Sequence, residues 1–94
     1  MSLPNETPWP RAVGVVPLAE RKLRVRMDDG RVLILDLGGL IRRRDAYWRL
    51  RRDRYFRRVA VDPLGGVCWP EGEDLAPEGL ERYMATHVPD PEGK

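Results

Sequence analysis

Apolar and polar positions alternate most cleanly between Lys22 and Met27, where Leu23, Val25 and Met27 interleave with Lys22, Arg24 and Arg26. A period of two sends the two sets to opposite faces, which predicts a half-buried strand. Ala12 to Val16 is short and rich in β-branched residues and closes at Pro17, which predicts a first strand; Leu18 to Arg21 reads as a connection. Asp28-Asp29-Gly30 is a hairpin-turn signal, and Arg31 to Leu37 predicts a third strand. Val32 and Ile34 fall on one face of it and Leu33 and Leu35 on the other, which places it at the centre of a sheet. The three strands make an antiparallel meander.

Gly38-Gly39 interrupts this pattern. Leu40 to Arg44 predicts a short turn or 3₁₀ piece, and Asp45 is placed to cap a helix from Ala46 to about Arg54. Its apolar stripe is irregular: Tyr47, Trp48, and Leu50 or Arg51. Val59 and Val61, then Val67 and Trp69, alternate again around Asp62-Pro63-Leu64-Gly65-Gly66, which predicts a hairpin with a five-residue loop and one shared buried face. Pro70 ends that strand, Gly72 permits a reversal and Asp74 is placed to cap the next turn. Pro77 suits a first helical turn. Leu80, Tyr83, Met84 and His87 share one face of a helix that stops at Pro89. The fold class expected is α+β: a small two-layer sandwich of a three-stranded antiparallel meander, a short helix, a β-hairpin and a C-terminal helix. The expected organisation is an arm over residues 1–11 holding Trp9, one domain over 12–88 and a tail over 89–94.

Ninety-four residues suffice for one modest core. No apolar run approaches membrane-spanning length, and the N-terminal residues lack the form of a signal peptide, so the expected setting is cytoplasmic, without a membrane partner. The net charge of +2 conceals an uneven distribution. Residues 42 to 58 hold nine Arg against two Asp, whereas residues 71 to 92 hold seven acids against one Arg.

That unevenness raises one candidate chemistry. Arg42, Arg43, Arg44, Arg49, Arg51, Arg52, Arg54, Arg57 and Arg58 could contact phosphates, with Tyr47, Trp48 or Tyr55 stacking on bases. No recognised nucleic-acid motif accompanies them, so a solvated face paired with the acidic segment is the plainer reading. The W-P-x-G-x-D-L-x-P-E run could form a docking edge from Trp69, Asp74 and Glu78. Turn chemistry accounts for the same residues, with Trp69 filling the core. Cys68 and His87 are one thiol and one imidazole without an orienting third group, which supports neither a nucleophile nor a zinc set. Asp28, Asp29, Asp36 and Asp62 fall at strand ends and turns, not in an acid–base pair. No enzyme, cofactor or metal is expected.

The run V-C-W-P-x-G-x-D-L-x-P-E-x-L from Val67 to Leu80 gives the chain a family look, together with the Val-rich first strand, the Asp29-Gly30 turn, Asp36-Leu37 and F-x-x-V-x-V-D from Phe56 to Asp62. Over Val13 to Leu80 it resembles a short bacterial family of unknown function. The resemblance implies a small two-layer α+β domain that is fused in some relatives to a helix-turn-helix and in others stands beside the gene of a second small protein, as in toxin–antitoxin pairs. This chain looks like the stand-alone kind. The leading expectation is a non-enzymatic interaction module, antitoxin-like or accessory, with a small protein partner. The alternative is an accessory protein that binds nucleic acid through the Arg tract. An open sheet also leaves edges that a second copy could cover as a homodimer.

Overall fold

The structure, a computed structural model, describes residues 10–85. Strands β1 (Ala12–Leu18), β2 (Lys22–Met27) and β3 (Val32–Asp36) form an antiparallel sheet in that spatial order. β1 runs through Pro17 to Leu18, because an edge strand tolerates the missing N–H of proline. The strand expected at the centre, β3, is instead an edge, and β2 lies between its neighbours. The second apolar set of β3 does not reflect burial on both sides: Val32 and Ile34 are 54% and 36% exposed on the outer face, which nothing covers among the described residues. The returning chain caps the β3 edge, where the Ala85 N–H donates to the Ile34 carbonyl at 2.9 Å and Met84 bridges to Leu35.

The inner face carries Leu23, Val25, Met27, Leu33 and Leu35, all buried. Against it pack α1 (Gly38–Arg43), a 3₁₀ segment (Asp45–Arg51) and α2 (Asp53–Phe56). α1 is an α-helix that starts at Gly38, where the sequence suggests a break and then a short turn or 3₁₀ piece from Leu40 to Arg44. The 3₁₀ segment and α2 replace the single helix expected from Ala46 to about Arg54. Within that span Tyr47 leaves helical geometry at φ −104° and Arg52 adopts extended backbone, which breaks the helix at two points, and Asp45 makes no capping hydrogen bond. Leu40, Ile41, Leu50 and Phe56 are the residues this layer buries.

The expected hairpin is a three-stranded sheet of β4 (Ala60–Val61), β5 (Val67–Cys68) and β6 (Asp74–Leu75). The loop over residues 62–66 closes as expected: the Asp62 N–H donates to the Gly66 carbonyl, the Gly65 N–H donates to the Asp62 carbonyl, and the Asp62 carboxylate accepts from the Leu64 N–H. W-P-E-G is a second hairpin turn, with Pro70 in its second position and Gly72 at φ 111°, and the Trp69 N–H bonds the Glu73 carbonyl. Asp74 therefore belongs to a strand and caps nothing. Gly66 is required by proximity, because a Cβ there would lie 2.0 Å from the Leu75 carbonyl oxygen.

Pro77 opens the last segment as expected, but Pro77–Tyr83 is 3₁₀ and ends at Met84, where the chain turns extended to reach β3. Leu80 is its buried anchor. His87, Pro89 and the tail, like Trp9 and most of the arm, lie outside the described residues. The expected α+β class holds, with the meander as its frame.

Candidate functional site

Arg21 decides how the Arg-rich layer sits on the sheet. Glu20 and Arg21, between β1 and β2, both adopt left-handed backbone at φ 62° and 61°, a costly conformation for residues that carry a Cβ. Arg21 then spreads its guanidinium over the end of the 3₁₀ segment. It donates to the Leu50 carbonyl at 2.9 Å and the Arg51 carbonyl at 2.6 Å, and pairs with Asp53 at 3.1 Å. Its charged carbon also lies 5.5 Å from the centre of the Phe56 ring. Five donors in a fixed fork suit this task.

The layer held this way carries two concave surfaces. The first is a groove of about 800 Å³ between α1, the ends of β2 and β3, and the last 3₁₀ segment. Lys22, Arg43, Arg44 and Arg82 line it, with Asp36 as the sole acid in its wall. Lys22 pairs with Glu20 at 3.5 Å. Arg43, Arg44 and Arg82 have no ion-pair partner among the described residues. Asp36 is engaged with the Gly38 N–H at 3.0 Å.

The second surface is a shelf of about 250 Å³ lined by Trp48, Arg49, Arg52, Tyr55, Arg58 and Glu71. Trp48 is 48% exposed, and the Arg49 guanidinium lies over its ring, 4.9 Å from the centre. Arg49 is fixed in turn by a 3.1 Å ion pair with Glu73, a carboxylate almost wholly buried by the second hairpin. The Tyr55 hydroxyl donates to the other Glu73 oxygen at 2.5 Å and accepts from the Glu71 N–H at 2.8 Å. Burial alone would raise the Glu73 carboxyl, but the Tyr55 hydroxyl, a backbone N–H and Arg49 together hold it below its ordinary value. Tyr55 is pushed up by its burial and by the same carboxylate.

The sequence candidates are thereby sorted. Arg49 is consumed by Glu73, Arg57 pairs with Asp53 at 2.8 Å, and Arg51, though exposed, donates to the Ile41 carbonyl and pairs with Asp45 at 3.8 Å. Arg42, Arg43, Arg44, Arg52, Arg54 and Arg58 stay exposed without an ion-pair partner among the described residues. Glu81, an acid expected to neutralise the tract, is taken by Arg31 at 2.8 Å. Lys22 and Arg82 complete the groove from distant parts of the sequence, and no local pattern marks them.

Asp74 and Glu78 border a common hollow beside Tyr47 and Arg82. Trp69 is apart from them, 3% exposed, with its indole N–H donating to the Phe56 carbonyl at 2.9 Å and its ring 6.0 Å from that of Phe56. It fills the core and offers no surface to a partner. The Cys68 thiol is pushed up by burial and by the charges of Asp62 and Asp74, the opposite of an activated nucleophile. No group of three or more metal-ligating side chains is assembled among the described residues, and none of their helices is long and apolar enough to cross a membrane.

Fold and surface together define a small α+β domain with a basic groove and no assembled catalytic constellation among the described residues. The chain belongs to the family described as protein of unknown function (DUF2442), which matches residues 12–85. It is also similar to a crystal structure from Nitrosomonas europaea ATCC 19718 described as a "putative DNA binding protein", with 26% identity and a TM-score of 0.72. That likeness covers 85% of this chain and 52% of the other, so this chain spans about half the length of the solved neighbour. No curated protein matches it.

Proposed function

We propose that this domain binds nucleic acid through its sugar–phosphate backbone, with the groove cations as the contact set. One observation carries the reading: Lys22, Arg43, Arg44 and Arg82 converge on one concave surface that presents a single acid. Cations that outnumber the carboxylates on a concave surface attract a polyanion and release its counterions on binding. The description of the solved neighbour, a longer protein of which the match covers 52%, points the same way. Four phosphate contacts predict that log K falls with log salt at a slope of about −3 to −4. The test is fluorescence anisotropy of labelled DNA and RNA oligonucleotides against salt. The triple variant Arg43→Ala, Arg44→Ala, Arg82→Ala should weaken binding for every sequence and lower the slope by about 2 to 3. Absence of binding by the parent protein at low salt, or equal binding by the variant, overturns the reading.

A second reading, an interaction module with a small protein partner, is favoured by the outer sheet face. Val16, Arg24 and Ile34 form one cross-strand row there, and Gly14, Arg26 and Val32 the next. Val16, Val32 and Ile34 are exposed around the two Arg, which suits a partner surface that combines apolar and acidic groups. Co-purification with the product of an adjacent gene, lost in Ile34→Asp but kept in the groove variant, would support this reading. Identical recovery with Ile34→Asp would refute it.

A further inference from the structure

We infer that the Trp48 shelf stacks an unpaired base, so that the nucleic acid this domain prefers is single-stranded; this deepens the nucleic-acid reading and rests on it. Among the described residues Trp48 is the only exposed aromatic, at 48%. Its irregular backbone explains how it stays out of the core. The 3₁₀ segment buries Leu50 and turns Trp48 away from it.

The indole is also held in place. Arg49 lies over it at 4.9 Å, Glu73 fixes Arg49 at 3.1 Å, and Tyr55 fixes Glu73. A cation used this way is spent on orientation, whereas Arg52 and Arg58 line the same shelf without an ion-pair partner among the described residues. A rigid aromatic plane flanked by cations is the arrangement that binds a base by its face and the adjoining phosphates by charge. A base in a duplex keeps both faces stacked on its neighbours and cannot use the shelf unless it leaves the helix. The groove, by contrast, needs only phosphates and accepts either form.

The test compares a short labelled oligonucleotide as a single strand and as a duplex, at equal salt, by anisotropy. The parent protein is expected to bind the single strand more tightly. Trp48→Ala should weaken single-strand binding by about 5- to 150-fold and leave duplex binding unchanged. Trp48→Phe should restore most of the loss, and Arg52→Ala should weaken binding and reduce the salt slope. Thermal melting confirms that each variant is folded. Equal parent affinity for both forms, or unaltered single-strand binding by folded Trp48→Ala, overturns the inference while the groove reading stands. Binding of neither form overturns both.

Discussion

Replacing Gly66 with Ala tests the packing that holds the shelf together. The added Cβ would sit 2.0 Å from the Leu75 carbonyl oxygen, 3.0 Å from its carbon and 3.2 Å from the Ala76 Cα, all backbone atoms of β6 and its exit. Real Cβ atoms stay at least 3.0 Å away, so β6 must withdraw by the difference between 3.0 and 2.0 Å, about 1 Å. Adjacent strands lie about 4.8 Å apart, and a withdrawal of that size opens the ladder from the Val67–Leu75 pair onward. Overpacking costs about 1–3 kcal/mol, and each ladder hydrogen bond lost or stretched adds about 0.5–1.5 kcal/mol. The sum, about 2–4 kcal/mol, is a large share of the roughly 5–15 kcal/mol that stabilises a small domain. For a chain of this size it corresponds to a fall in Tm of about 10–25 °C. Circular-dichroism melting supplies the measurement, with Gly79→Ala as control, since nothing lies within 4 Å of a Cβ at Gly79. A Gly66→Ala protein that melts within about 2 °C of its parent would refute the argument, because a difference that small corresponds to well under 1 kcal/mol.

Two further outcomes come from the polar network. Glu73 binds its proton less readily when folded than when unfolded, so its contribution to stability is present above its ordinary value of 4.5 and is lost as pH falls towards its lower folded value. Asp29, lowered first by the Arg31 N–H, and Asp53, lowered first by the Arg57 guanidinium, act in the same direction. Both are exposed, so about 0.5 M salt mutes them; under that condition Glu73→Gln should flatten the acid limb of a urea-stability profile, and an unchanged limb would contradict the assignment. Arg21→Ala leaves the Leu50 and Arg51 carbonyls short of a donor and should cost about 2–3 kcal/mol in urea unfolding. Arg21→Lys should recover less than half, because one ammonium cannot span the same acceptors; full recovery would show that charge alone matters.

The legibility of this molecule depends on how local each signal is. The alternation of Leu23, Val25 and Met27 reports its own face, and the Asp29-Gly30 and Asp62–Gly66 turns report themselves. The position of β3 does not follow from its own residues, since exposed Val32 and Ile34 look the same as buried ones in a sequence. The helical layer reads wrongly from sequence because Gly38-Gly39, which look like a break, open α1, and because Tyr47 and Arg52 leave helical geometry where composition suggests one helix. The W-P-E-G turn reads as a corner, yet the strand after it is only two residues long and is stabilised by pairing with β5, a non-local partner. The Arg tract is visible as composition. Which of its members remain unpaired depends on Glu73, Asp53 and Asp45, and the groove needs Lys22 and Arg82, which only the tertiary fold brings to it.

The small sheet has consequences for the order of assembly. Its strands are two residues each, and it is tied to the meander by the Ala12 N–H to the Gly65 carbonyl and by Arg11 to the Pro63 carbonyl. Those ties close loops of more than fifty residues, whereas the meander joins neighbours in sequence. Loop entropy favours the meander as the nucleus and leaves the small sheet to dock on the downhill side of the barrier. Weakening it would then hasten unfolding and leave refolding rates nearly untouched, so the lifetime of the folded domain would be governed by the part of the chain that arrives last.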